Sequence, residues 1–184
     1  MSLAPWPERS VEVLARYKVF EVVKAGRVSP RTGEDIGFFL VRTGDWVNGV
    51  PVTEDGRVVP VKQFRHGACE VSLEIPGGIL HDRHEDPALA AARELREETS
   101  YVASELVLLG RQRPNPAIFT NTCTTFLARG CRKLAELEMD PGEDIEVVTL
   151  TRAEHDEHVR SGAIDHALVL AALALWQAMS GGAG

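Results

Sequence analysis

The sequence lacks the features that mark a disulfide-stabilised or membrane-spanning protein. Its 184 residues include only three cysteines, an odd number without CxxC spacing, which predicts reduced thiols. The apolar stretch at 167–176 is shorter than the roughly 20 residues that cross a bilayer, and we expect it to form a buried helix. The first ten residues lack the apolar centre of a signal peptide. We therefore expect a cytoplasmic protein with no membrane partner.

The sequence also lacks an excess of positive charge. Its formal net charge is −7 at pH 7, from 20 basic and 27 acidic residues. Nucleic-acid backbones and anionic membranes favour a basic surface, so neither is an expected partner. An anionic small molecule would need its charge offset locally, by an arginine cluster or a metal ion. No internal repeat, low-complexity tract or evident linker is present, and the length predicts one domain.

Period-two patterns predict several strands. They are expected at 17–23, 36–42, 70–75, 105–113, 122–128 and 143–150. The dipeptide Asp55-Gly56 is typical of a two-residue hairpin turn, which would place Pro51 opposite Pro60. Because proline cannot donate to a strand ladder, we expect this hairpin to be an edge or to be interrupted there.

The remaining segments predict helices. Asp86 is a suitable N-cap for a helix over 87–100, and Thr151 with Glu154 forms a capping box for a second helix. Asp165 is expected to cap a last helix. The mixed order of strands and helices predicts an α+β fold, an α/β/α sandwich with a mixed sheet.

Three glutamates crowd the end of the first predicted helix, in the segment RELREE at 93–98. At about 100° per residue, one face of the helix is apolar and comprises Ala88, Ala91, Ala92, Leu95 and Thr99. Glu94 and Glu98 lie at the edge of that face, and Glu97 lies further round. Like charges one turn apart destabilise a helix by ~0.2–0.5 kcal/mol per pair, and a hard divalent cation would reverse that sign. Adjacent glutamates by themselves more often form a solvated acidic face. The surrounding sequence is therefore needed to choose between such a face and a cation site.

The context resembles the Nudix box. In the stretch GGILHDRHEDPALAAARELREETSY, at 77–101, Glu85 is followed by seven residues and then by Arg-Glu-Leu-x-Glu-Glu, as in that family. Two departures are present. Six residues rather than five separate Gly78 from Glu85, and Ser100 stands where the box ends on glycine. Neither departure involves the glutamates.

The resemblance implies a hydrolase that depends on Mg²⁺, with Mn²⁺ as the alternative. Carried over by position, the metal ligands would be Glu94, Glu97, Glu98 and the backbone carbonyl of Gly77. Arg93 would orient the carboxylates, Glu97 could also bind a metal-bound water, and Glu85 would brace the loop. Such a cation would neutralise a pyrophosphate and activate the attacking water.

The flanking residues resemble the ADP-ribose pyrophosphatase and nucleoside diphosphate sugar group within that family. Pro116 lies sixteen positions after Ser100, although RPNPAIFTN departs from the Ser-Pro-Gly usual there. The candidate substrate contacts are Arg65 in QFRHG, Glu74 in LEIPGG and Pro116. The expected general base is Glu143, with Asp140 second, in the acidic segment 136–146.

The resemblance covers roughly residues 17–178. It implies a single Nudix domain over 1–184, with N-terminal strands in 1–44 that form an extra antiparallel sheet and a homodimer contact, and a core over 45–184. The expected reaction splits ADP-ribose or a related nucleoside diphosphate sugar into a nucleoside monophosphate and a sugar phosphate.

Two alternatives stay open. One is a hydrolase of another nucleoside diphosphate derivative, such as a dinucleoside polyphosphate. The other is a non-catalytic nucleotide sensor, against which the intact glutamates argue. Arg65 could also be a surface charge at a strand end, Glu74 could pair with an arginine, and the 136–146 segment could be a solvated turn.

Overall fold

The computed structural model describes residues 3–134 and 144–181. The chain forms two compact units. One comprises Met1–Gly44 with Arg113–Asn121, and the other comprises Asp45–Gln112 with Thr122–Gly184. No helix among the described residues is long and apolar enough to cross a membrane.

The first unit is a three-stranded antiparallel sheet, as expected for the N-terminal strands. Its strands, in the spatial order β1-β2-β3, are β1 (Glu8–Arg16), β2 (Phe20–Val28) and β3 (Asp35–Thr43). The predicted strand at 36–42 is confirmed, but β1 was missed and the strand predicted at 17–23 is wrong in position. The chain reverses between β1 and β2, where Tyr17 N–H donates to the Phe20 carbonyl. No glycine, proline or asparagine marks that turn, so strand propensity alone predicted a strand across it.

The segment 113–121 completes this unit by pairing with β3. The Val41 N–H donates to the Ile118 carbonyl, and Thr120 N–H donates to the Val41 carbonyl. These two bonds make a short parallel bridge between Val41 and Phe119. The first unit therefore draws on a distant stretch of the sequence in addition to its first 44 residues.

Within its described residues, the second unit contains two sheets and three helices. Its elements are β4 (Trp46–Thr53), β5 (Val61–Arg65), β6 (Glu70–Glu74), β7 (Gly77–Ile79), α1 (Pro87–Thr99), β8 (Tyr101–Val102), β9 (Glu105–Gln112), β10 (Cys123–Lys133), β11 (Ile145–Val147), α2 (Arg152–Arg160) and α3 (Ala167–Gly181). The larger sheet has the order β7-β4-β10-β8, with β9 also paired to β10. It is mixed, because β4 and β10 are parallel and the other pairs are antiparallel. The smaller sheet has the order β11-β5-β6.

The mixed sheet packs helices on both faces, which confirms the predicted α/β/α sandwich. On one face, Val47 and Phe126 pack with Ala90 and Ala91 of α1. On the other face, the core joins strand residues to α3 and includes Val50, Leu127, Ala172, Leu173 and Trp176. Successive strand residues point to opposite faces, so each strand contributes to both cores.

Helix α1 begins and ends as local sequence predicts. The Asp86 side chain accepts from Ala88 N–H at 2.7 Å, and Pro87 is the first helical residue. Ser100 ends the helix in the left-handed conformation, with φ 60°, and its N–H donates to the Arg96 carbonyl. A glycine would adopt that conformation without steric cost, which is a physical reason for the family's glycine at this position.

The buried face of α1 differs from the prediction. The buried residues are Ala90, Ala91, Leu95, Glu98 and Thr99. Ala92 is exposed, whereas Glu98 was expected at the edge of the face and is buried. Helical periodicity places residues relative to one another, and the packing of α1 on β4 and β7 sets which side is covered.

Two other local predictions were also wrong. The hairpin loop after β4 has three residues rather than two, because the Thr53 N–H donates to the Arg57 carbonyl. Gly56, the last residue of this loop, has φ 81°. Pro51 therefore lies opposite Val59 and not opposite Pro60, and its carbonyl accepts a hydrogen bond from the Val59 N–H.

The predicted cap of the last helix is also wrong. At the start of α3, the side chain that accepts the Leu168 N–H belongs to His166 and not to Asp165. The capping box of Thr151 and Glu154 at α2 is confirmed.

Candidate active site

Arg93 lies at the centre of the carboxylates on α1. Its Nη1 donates to Glu94 at 2.8 Å and to Glu97 at 3.0 Å, and its Nε donates to Glu85 at 3.4 Å. Burial opposes the charge on Arg93, but Glu94 and Glu97 outweigh it, so the pKa of the guanidinium lies above its usual value. Because one nitrogen contacts both carboxylates, Glu94 and Glu97 converge on a single point beside the helix.

Glu85 joins the loop before α1 to this cluster. It accepts from the His81 backbone N–H at 2.5 Å and from Arg93. These interactions, with the His81 N–H as the larger cause, hold the pKa of Glu85 below its usual value. The loop before α1 is one residue longer than in the family's box. Glu85, at the end of this loop, holds it by accepting a hydrogen bond from His81.

Glu98 reaches away from Arg93 towards β7. It is 5% exposed, and its Oε2 accepts from the Gly77 N–H at 3.1 Å. We predicted a role for the Gly77 carbonyl, and the structure shows that its N–H is the group that contacts Glu98. A buried carboxylate needs hydrogen-bond donors, and this backbone N–H supplies one.

Gly77 and Gly78 form a wall beside the carboxylates where no side chain fits. A Cβ at Gly77 would overlap the Val47 carbonyl oxygen and would lie 2.9 Å from the Cα of Asn48. A Cβ at Gly78 would lie 2.5 Å from the Glu94 carboxyl carbon. The two glycines therefore permit β7 to approach β4 on one side and Glu94 on the other.

Gly77 and Gly78 also line a pocket of about 340 Å³. The lining residues are Trp46, Val47, Asn48, Arg65, Glu74, Ile75, Gly77, Gly78, Ile79, Cys123, His166, Leu168 and Val169. Six of these side chains are large and apolar, and the five polar ones come from β4, β5, β6, β10 and the residue before α3. That composition is typical of a small-molecule site.

Arg65 and Glu74, the two candidate substrate contacts, meet in this pocket. They form a two-point ion pair with both N–O distances at 2.7 Å. Burial favours the neutral acid of Glu74, but the Arg65 guanidinium outweighs it and holds the pKa of Glu74 below the usual value. The alternative in which Glu74 pairs with an arginine is thus the observed one.

Sequence reasoning missed three polar residues of the pocket. His166 and Cys123 line it, and Asn48 is held by a relay in which Gln112 donates to Thr125 and Thr125 donates to Asn48. Burial raises the pKa of Cys123 to about 12, so it is a thiol at neutral pH and a poor nucleophile. A histidine directly before the apolar helix was the one sequence signal that could have identified His166.

The structure does not bring every predicted residue to this pocket. Pro116 lies in an exposed turn of the first unit. Glu143 and Asp140 lie outside the described residues. Within residues 3–134 and 144–181, no group of three or more histidine, cysteine, aspartate or glutamate residues is arranged to hold a metal ion. In this arrangement Arg93 contacts Glu94 and Glu97, and Glu98 accepts from Gly77.

Comparisons with known proteins match this fold and these motifs. A family model for the NUDIX domain matches residues 43–172. An ADP-ribose pyrophosphatase of Bacillus subtilis (strain 168) is 37% identical over 101 residues, 54% of each chain. An ADP-ribose pyrophosphatase of Mycobacterium tuberculosis (strain ATCC 25618 / H37Rv) is 30% identical over 134 residues, 72% of this chain and 65% of that protein. The matched part of the chain thus spans between about half and two thirds of the length of these relatives.

A crystal structure of an ADP compounds hydrolase has the same fold. Its TM-score is 0.85 at 22% identity, over 100% of this chain and 98% of that one. This likeness confirms the predicted fold class, a mixed sheet with helices and an additional N-terminal antiparallel sheet. Because the family match covers more than half of the sequence, the protein belongs to the NUDIX domain family.

Proposed function

We propose that the protein hydrolyses the pyrophosphate of ADP-ribose or a related nucleoside diphosphate sugar, and that the products are a nucleoside monophosphate and a sugar phosphate. The observation that carries this proposal is that Gly77 and Gly78 contact both parts of the candidate site. Gly78 lies against the Glu94 carboxylate, the Gly77 N–H donates to Glu98, and both glycines line a pocket of about 340 Å³. The names of the two related pyrophosphatases support the same reaction.

The carboxylates on α1 are of the chemical type that binds a divalent cation, Mg²⁺ or Mn²⁺. Glu94, Glu97 and Glu98 supply the carboxylate oxygens that hard cations prefer, and the Gly77 carbonyl is the proposed fourth donor. Glu94 and Glu97 already converge on one positive group, the Nη1 of Arg93. When bound, the cation would neutralise the pyrophosphate and lower the pKa of the attacking water.

The other proposed roles belong to residues that position these groups. Arg93 and Glu85 hold the carboxylates and the loop before α1 in one arrangement. Arg65 and Glu74 are the proposed substrate contacts within the pocket. Glu143 is the proposed general base, on the ground of sequence alone. Pro116 remains a predicted substrate contact.

A phosphate-release screen tests the reaction. Nucleoside diphosphate sugars are incubated with the protein and a phosphatase, with and without Mg²⁺ or Mn²⁺. The phosphatase cannot attack an intact pyrophosphate diester, so inorganic phosphate appears only after cleavage. We expect release that needs the cation and that is lost in Glu97→Gln, with exposed Glu105→Gln as the matched control. No release from any such substrate with either cation would refute the proposal.

The N-terminal sheet is the proposed homodimer contact. Val23 is buried in the single chain, but several large apolar side chains of this sheet are more than a third exposed: Val11, Val13, Leu14, Phe20, Ile36, Phe38 and Phe39. Exposed apolar surface in this amount favours a protein partner. Sedimentation velocity at micromolar concentration is expected to show a dimer, and a monomer alone would contradict this.

A further inference from the structure

His166 caps helix α3 in a way that determines which ring nitrogen carries the proton. Its Nδ1 accepts the Leu168 N–H at 3.2 Å. An acceptor nitrogen has no hydrogen, so the ring carries its proton on Nε2. Leu168 is the second residue of the helix, so its N–H has a fixed direction. The hydrogen bond from this N–H therefore also fixes the orientation of the His166 ring.

The Nε2–H of His166, a residue that lines the pocket, donates no hydrogen bond among the described residues. Glu74 Oε2 lies 3.9 Å from this nitrogen, beyond hydrogen-bond distance. The side chain is 35% exposed, and the residue lines the pocket together with Trp46 and Leu168. The pocket therefore presents one oriented hydrogen-bond donor that the fold itself does not use.

The charge of the pocket indicates what this donor would bind. Arg65 and Glu74 form a two-point pair, so their charges offset each other. The remaining lining is mostly apolar. A phosphate group would need net positive charge, whereas an oriented neutral donor in an apolar pocket suits an uncharged group with oxygen or nitrogen acceptors.

We infer that His166 is a substrate-binding residue, and that its Nε2–H donates to an uncharged part of the nucleotide substrate, a sugar hydroxyl or a base, and not to a phosphate. This inference rests on the proposed function, because it names which portion of that substrate the pocket holds. The pyrophosphate would then lie beside the carboxylates of α1.

Two variants separate the donor from the helix cap. His166→Ala removes both. His166→Ser removes the donor but keeps a side-chain oxygen that can cap Leu168. His158→Ala in α2 is the matched control, because His158 is also half-buried and does not line the pocket. Thermal unfolding of each variant checks the fold.

The measured quantities are KM and kcat for ADP-ribose, and the inhibition constants of AMP and ribose 5-phosphate. We expect both His166 variants to raise KM about 5- to 10-fold with kcat nearly unchanged, as for the loss of one hydrogen bond. The inhibition constant of only one of the two products should rise by a similar factor, and that product identifies the moiety in the pocket.

Several results would overturn the inference. Normal KM in His166→Ser with raised KM in His166→Ala would make the residue a helix cap only. Equal weakening of AMP and ribose 5-phosphate, or no weakening of either, would also refute it. Calorimetric binding of ADP-ribose in EDTA separates the two proposals. Binding that weakens in His166→Ser although the wild type hydrolyses nothing would refute the proposed function and support this inference.

Discussion

Adding one methyl group at Gly78 is expected to damage the reaction more than the fold. The Cβ of Gly78→Ala would lie 2.5 Å from the Glu94 carboxyl carbon and 2.7 Å from its Oε2. Carbon atoms in contact are normally separated by about 3.5–4.0 Å. The carboxylate of Glu94 must therefore move by about 1 Å. It can move because it is the end of a flexible side chain.

The expected magnitudes follow from that displacement. Moving Glu94 off a preferred rotamer costs about 0.5–1.5 kcal/mol of stability. A misplacement of about 1 Å in a catalytic group can lower the rate roughly 100-fold. Gly78→Ala should therefore lower kcat for ADP-ribose by about two orders of magnitude, while the protein stays folded at room temperature.

Two other glycines supply the controls. A Cβ at Gly67 meets nothing within 4 Å, so Gly67→Ala should leave both stability and kcat unchanged. A Cβ at Gly77 would overlap the Val47 carbonyl, so Gly77→Ala should destabilise the backbone towards the upper end of the ~0.5–3 kcal/mol range of single substitutions. Phosphate release and chemical denaturation measure the two effects. If Gly78→Ala retains wild-type kcat, the position of Glu94 is not critical.

Three further predictions concern single residues. Glu98→Gln keeps an acceptor for the Gly77 N–H but removes a charge, so turnover with Mg²⁺ should fall by orders of magnitude with little change in the unfolding midpoint; near-normal activity would contradict the metal assignment. His155 is 1% exposed, and burial, partly offset by Asp156, lowers its pKa. The unfolded state then binds the proton more readily, so stability should be full above the unfolded pKa of about 6.5 and decline below it, by at most about 1.4 kcal/mol per pH unit. Urea titrations of wild type and His155→Phe at pH 5 to 8 would test this, and an equal slope in both would refute it. Glu143→Gln should lower kcat and leave the Mg²⁺ dependence unchanged; recovery of activity at high Mg²⁺ would make Glu143 a metal ligand instead.

The candidate site divides into parts that sequence could predict and parts that it could not. The spacing of Arg93, Glu94 and Glu97 placed them on one helix flank, and the structure joins both carboxylates to the arginine. The same spacing put Glu98 at an exposed edge, whereas it is buried. Periodicity orders residues around a helix axis, but the neighbouring strand decides which side is covered.

Local chemistry is what the sequence by itself determined. The Asp86 cap, the capping box of Thr151 and Glu154 and the family box depend on groups a few residues apart, whose hydrogen bonds are the same wherever the segment lies. The tertiary structure alone brought His166 from the start of α3 to the pair of Arg65 and Glu74. Such contacts join elements that are far apart in the chain, and they exist only after the sheets and helices have packed, so no pattern of neighbouring residues encodes them.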